Sequence, residues 1–142
     1  MTSQVTKQLV QLNSLGVELR RVQLPDNMFI VSHKNTELKQ NQISQVNMDG
    51  QVLRHFTDSR LSSLGQTPHI AIDSHGNLFV ADSHNRRILL LDAQLKLRRV
   101  IIDEHQLNYR KPYRLCYREP TGQLLVGLYL CNTVPVFDVL RQ

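Results

Sequence analysis

The densest group of chemically capable side chains is Asp82, Asn85 and Arg87, a carboxylate, an amide and a guanidinium within one short segment, AD-S-H-N-R-R. Two chemistries suit such a trio. One is a polar ligand or metal site at the edge of a sheet. The other is structural: Asp82 ends an apolar strand and anchors a tight turn, as Asp and Asn do, while the planar fork of Arg87 reaches a carboxylate or carbonyl nearby. The structural role is the expectation. Asp73, which ends the preceding apolar strand, is the matching turn anchor, and Gly76 supplies the positive φ that its turn requires.

The histidines are His33, His55, His69, His75, His84 and His105. His69, His75 and His84 fall at turns or strand ends close in sequence and could gather, yet no HExxH, HxH or Cys/His spacing accompanies them. No metal and no cofactor are expected. Asp58-Ser59 and Ser83-His84 lack the GxSxG elbow of a serine hydrolase, and Asp103-Glu104 reads as a solvated acidic turn. No catalytic constellation is visible, so a non-enzymatic protein is expected. A different chemistry is offered by Tyr109-Arg110-Lys111-Pro112-Tyr113-Arg114, where rings alternate with cations. Single-stranded nucleic acid is bound by such stacking and phosphate contact. The same segment also fits a loop whose tyrosines pack a rim. With Arg86 these residues form the candidate contact set for RNA or another partner.

The elements that position these residues are short strands. NMFIVS at 27–32 returns as NLFVAD at 77–82 and QLLVGL at 123–128, and the strand after it recurs as ISQVN, ILLLD and VPVFD. A period of about fifty residues holding several short strands marks a β-propeller or related array. The chain is therefore all-β, with about three four-stranded antiparallel blades near 16–56, 68–102 and 112–142. The first has strands at 18–24, 27–32, 43–47 and 51–56, with a polar insertion at 33–42 and a Met48-Asp49-Gly50 hairpin turn. The last lacks its fourth strand. Ile70, Ile72, Leu78, Val80, Ile88, Leu90, Leu115, Leu125 and Val136 are the expected packing positions, with Phe79 and Leu89 turned toward a neighbouring blade. Residues 1–15 are polar and read as a linker or docking strand; Gln8–Leu12 could supply the missing outer strand.

Residues 68–102 resemble the NHL repeat, through P-x-I-A-I-D-x-x-G-N-L-F-V-A-D-S-x-N-x-R-I carried by Pro68, Ile70 to Asp73, Gly76 to Ser83, Asn85, Arg87 and Ile88. The flanking units are degenerate: Ser32 and Gln42, then Leu128 and Thr133, stand where the central unit has Asp82 and Arg87. The resemblance implies a six-bladed propeller used for recognition. Such propellers often end tripartite-motif ubiquitin ligases; some bind RNA through a basic face and others bind proteins. Some related propellers are lyases with a metal held by histidines. No RING, B-box or coiled-coil pattern accompanies this chain, so ligase activity is not assigned to these residues.

The chain has 142 residues and a formal charge of +5, room for only about three blades of a ring that usually needs about four to eight. A fragment of a longer protein, two copies completing a ring, and a lone arc all follow from that, the fragment first. The basic balance permits an acidic partner without demanding one. Cys116 and Cys131 lie in apolar segments and suit a reducing compartment. The apolar run 124–131 is too short to cross a bilayer, and residues 1–15 lack a signal-type apolar core. The expectation is a cytoplasmic module, with protein as the first partner, RNA as the second and self-association if the arc is the whole chain.

Overall fold

The computed structural model describes residues 19–24, 28–35, 40–49, 51–56, 61 and 67–139; the proposed docking strand Gln8–Leu12 lies outside them. The described residues form eleven strands in three antiparallel sheets. The chain divides into two compact units, 1–67 and 68–142.

The first unit is one four-stranded meander of β1 (Leu19–Leu24), β2 (Met28–Asn35), β3 (Gln40–Val46) and β4 (Val52–Phe56). Register runs from Phe29 opposite Val46 to Asn35 opposite Gln40. The segment 33–42, expected as a polar insertion, is thus mostly strand: β2 and β3 extend the hairpin beyond the apolar residues. Phe29, Val31 and Val46 pack together on one face, with Met48 beside them.

The second unit holds two sheets around one core. Its four-stranded sheet is β5 (His69–Ile72), β6 (Leu78–Asp82), β7 (Arg87–Leu91) and β8 (Leu97–Ile102). Its three-stranded sheet is β9 (Pro112–Arg118), β10 (Gln123–Leu128) and β11 (Val136–Asp138), in the order β11-β10-β9. Every residue of β6 is buried. That requires cover on both faces of the strand, because successive side chains point to opposite sides. Phe79 and Ala81 pair with Leu90 and Ile88 on one face, which packs against Leu115, Leu124, Val126 and Leu128 of the three-stranded sheet. Phe79 stacks on Tyr117, ring centres 5.2 Å apart. Burial, then the neighbouring Glu119 charge, raises the Tyr117 phenol above its ordinary pKa. The Leu115 N–H donates to His69 Nδ1 at 3.1 Å, tying β9 to β5.

The expected packing set needs two corrections, both in the three-stranded sheet: Leu125 is only half-buried, Leu124 and Val126 taking the core positions of β10, and Val136 shares its face. Val136 is 50 % exposed, because it lies opposite Leu125 on the face turned away from the shared core, where Leu124 pairs with Phe137.

Candidate functional site

Antiparallel alternation sorts the loops of the second unit into two ends. Residues 73–77, 92–96 and 119–122 connect strands at one end. Residues 83–86, 103–111 and 129–135 connect them at the other.

The first end is closed by local chemistry. Asp73 Oδ1 accepts the N–H groups of His75 and Asn77, both at 2.9 Å. Asp92 Oδ1 does the same for Gln94 at 2.9 Å and Lys96 at 3.0 Å. The Lys96 bond is the main reason the Asp92 carboxyl lies below its ordinary pKa, opposed by partial desolvation and helped by the Gln94 bond and nearby cations. Gly76 sits at φ +83°, and a Cβ there would lie 3.1 Å from Ala93 Cβ.

Asp82 and Arg87 face each other across β6 and β7. Asp82, 2 % exposed, accepts Arg87 Nε at 2.8 Å and Asn85 Nδ2 at 2.9 Å through Oδ2. The turn they frame is closed by the Arg86 N–H on the Ser83 carbonyl at 3.0 Å. A carboxylate buried this deep costs several kcal/mol to desolvate unless it is paired. The trio therefore meets its own burial cost, and a diffusible ligand would have to displace buried bonds to reach it.

The second end is held by longer connections, and it collects most of the cation–tyrosine segment. Arg86 Nε donates to the Tyr109 carbonyl at 3.0 Å. Arg110 Nη1 donates to the Leu130 carbonyl at 2.7 Å, and the Tyr129 N–H to the Lys111 carbonyl at 2.8 Å. Both carbonyls caught by arginine belong to residues in the left-handed region, Tyr109 at φ 60° and Leu130 at φ 56°; Arg86 and Asn108 are there too. Within the 103–111 loop, Asp103 and Gln106 cap one another by reciprocal side chain–backbone bonds, the arrangement that starts a helical turn. Leu107, 1 % exposed, anchors that turn in the core. The Tyr109 hydroxyl is bonded to His105 Nδ1 at 2.6 Å, with the rings edge to face. Four large apolar or aromatic side chains of these loops are left in solvent: Tyr109 and Val134 at 55 %, Tyr129 at 59 % and Leu130 at 80 % exposure.

The structure thus brings Arg86, Tyr109, Arg110 and Lys111 to one end, with Tyr113 and Arg114 at the start of β9. Gly127 leaves room for Arg114, whose Cβ lies 3.1 Å from the position a Cβ would take, with the Tyr113 ring next at 3.5 Å. Tyr113 also lies under the Arg114 guanidinium, 5.9 Å from it. Tyr129 and Leu130 join the surface without having been marked as contact residues in the sequence. The available signal was small: the segment GLYLCN interrupts strand alternation with two large side chains. Cys131 follows them, its Sγ 3.3 Å from Thr133 Oγ1. Side-chain and backbone bonds from Thr133, with the Arg110 charge, lower the pKa of that thiol.

His69, His75 and His84, which could have gathered by their places in the sequence, are not brought together. His69 is bonded to Leu115, and His75 and His84 sit in turns at opposite ends of β6, a strand about 17 Å long. Among the described residues no three His, Cys, Asp or Glu side chains form a group that could hold a metal ion. No helix among them is long and apolar enough to cross a membrane.

No protein-family model and no curated protein matches the chain. Solved structures do match it. A protein of unknown function from Bacteroides caccae is 17 % identical with TM-score 0.61, over 89 % of this chain and 44 % of that one. The extracellular domain of a putative hybrid two-component system from B. thetaiotaomicron is 15 % identical with TM-score 0.54, over 85 % of this chain and 17 % of that one. A catalytically inactive virginiamycin B lyase from Staphylococcus aureus, solved with quinupristin, is 11 % identical with TM-score 0.53, over 89 % of this chain and 47 % of that one. The chain spans less than half the length of each. Taken with the antiparallel meanders, these likenesses assign an all-β fold of the propeller type.

Proposed function

We propose that this chain is a non-catalytic recognition module that binds a protein partner through the loops 83–86, 103–111 and 129–135. The observation that carries the reading is the exposure of Tyr109, Tyr129 and Leu130 on loops fixed from beneath by Arg86 and Arg110. Exposed aromatic anchors on a rigid base suit binding, because less side-chain and loop freedom is lost on association. The NHL-like signature of 68–102 supports the same reading, since recognition is what that resemblance implies. It extends it to a part of a ubiquitin-ligase-type protein acting in the cytoplasm.

The test is selection of a displayed random-peptide library on the purified chain, followed by counter-screening on a Tyr129→Ser/Leu130→Ser variant. Peptides that bind the native chain and lose the variant are the expected result. Peptides that bind both equally would move the binding surface elsewhere. RNA binding is the second reading, favoured by Tyr109, Lys111 and the Tyr113–Arg114 pair at or beside the same end. It requires an affinity that falls steeply with salt. The third, a metal-dependent lyase, rests on likeness of fold alone; elemental analysis and turnover assays address it.

A further inference from the structure

We propose that the Tyr109–Tyr129–Leu130 surface takes an acidic peptide segment with apolar anchors, a partner chemistry that rests on, and narrows, the recognition reading above. Two properties of the surface select it. The first is the placement of Leu130. It is the most exposed large apolar residue described, at 80 %. The Arg110 bond to its carbonyl keeps its backbone in place, and Tyr129 and Tyr109 adjoin it through the Lys111 and Arg110 connections. An aliphatic side chain lacks the π-face on which single-stranded bases stack best and gains nothing beside a phosphate. It gains by covering an apolar side chain of a partner, about 25 cal/mol for each Å² removed from water.

The second property is charge. Arg86, Arg110 and Lys111 follow one another around the tyrosines. Each guanidinium gives one hydrogen bond to a loop carbonyl and has further N–H donors in its fork. The fork is thereby held close to the protein surface, placed to receive a carboxylate lying across the loops. Against these cations stand Glu104 and Asp103, whose carboxylate is already taken by the Gln106 N–H. The other carboxylates of the turns, Asp73, Asp92 and Glu119, belong to the opposite end. Glu119 is engaged there by the Ser74 N–H. A chain that alternates carboxylates with leucine or phenylalanine satisfies both properties together. A nucleic-acid strand satisfies only the charge.

The experiment uses the full chain and three fluorescein-labelled peptide pools of mixed Leu, Phe and Ile. Glu, Gln or Lys is fixed at alternate positions, and a twelve-nucleotide oligouridylate serves as the nucleic-acid probe. Binding is read by fluorescence anisotropy at near-physiological salt. The Glu pool should bind at least about tenfold more tightly than the Gln pool, and the Lys pool should not bind. Leu130→Ser should weaken the Glu pool by about tenfold or more, the loss typical of an interface anchor, and Leu130→Met should restore most of it. An unchanged urea midpoint for Leu130→Ser would show that the fold is intact. Equal binding of the Glu and Gln pools, tighter binding of oligouridylate, or indifference to Leu130→Ser would each overturn the proposal. Library-selected peptides that depend on Leu130 but carry no acidic bias would end this proposal and leave the recognition reading standing. Selected peptides indifferent to the loop variants would end both.

Discussion

At the scale of single residues, the most consequential group is the Asp82 carboxylate. Removing one partner of a buried, paired charge leaves the other uncompensated, at a cost of about 3–5 kcal/mol. Asp82→Ala should therefore lower unfolding free energy by about 3 kcal/mol in urea denaturation. Asn85→Ala, which removes one neutral donor, should cost about 1 kcal/mol. A cost for Asp82→Ala as small as for Asn85→Ala would mean that Arg87 finds solvent or another acceptor. A second residue-scale expectation concerns Cys131. Its lowered pKa increases the thiolate fraction near neutrality, so iodoacetamide should label it faster than a free thiol of ordinary pKa, and Thr133→Val should slow the reaction. Peptide mapping by mass spectrometry reads this directly. The Asp82, Asn85 and Arg87 spacing was legible in the sequence because the three lie on one turn. The roles of Arg86 and Arg110 were not. Their acceptors are backbone carbonyls 23 and 20 residues away, and a carbonyl has no residue type to recognise.

At the scale of elements, strand positions followed the apolar alternation closely in 69–102 and 112–128. They were hardest to read where alternation carried no contrast. The segment HKNTELKQNQ contains no large apolar residue except Leu38, so the paired strands of β2 and β3 cannot be told there from a polar loop. That hairpin carries a pH response. Burial, and next the charge of His55, hold the His33 pKa below the ordinary value of about 6.5. Its Nε2 lies 3.2 Å from Ser44 Oγ, and its Nδ1 has no hydrogen-bond partner among the described residues. The folded state thus binds fewer protons than the unfolded one. The associated stability is fully present above pH ~6.5 and is lost as pH falls from there through the lower folded pKa. Urea midpoints should drop between pH 7.5 and 5, and the drop should shrink in His33→Gln. A shift unaffected by that substitution would place the sensitivity elsewhere.

At the scale of the molecule, the second unit is a pair of sheets that share one interior. Leu124 and Val126 from β10 meet Phe79 and Ile88 from the neighbouring sheet. Leu124→Ala should cost about 2–5 kcal/mol, the range for a buried Leu cut to Ala. The loss should appear as faster amide exchange in β6 as well as in β10, since one core serves both. Faster exchange confined to β9–β11 would show that the two sheets open separately. The propeller type could be read from the repeat period, because each unit spends its apolar residues on the same strands. The exposed surface of Tyr129 and Leu130 could not. The break in alternation at GLYLCN marks the end of a strand, but residue type alone does not distinguish an apolar side chain bound for solvent from one bound for the interior.

The contrast between the two ends has a practical reach. Asn47 repeats in the first unit the arrangement of Asp73 and Asp92, its Oδ1 accepting the N–H groups of Asp49 and Gln51 at 2.9 Å. Each of these three hairpins is closed chiefly by bonds among its own four or five residues, the 73–77 turn adding one longer tie from the Ser74 N–H to Glu119. Engineered cargo, such as a dye, an epitope tag or a relocated chain terminus, belongs at His75 or Gln94. The same graft at Asn108 or Leu130 would cut a tie on which the adjacent loop depends.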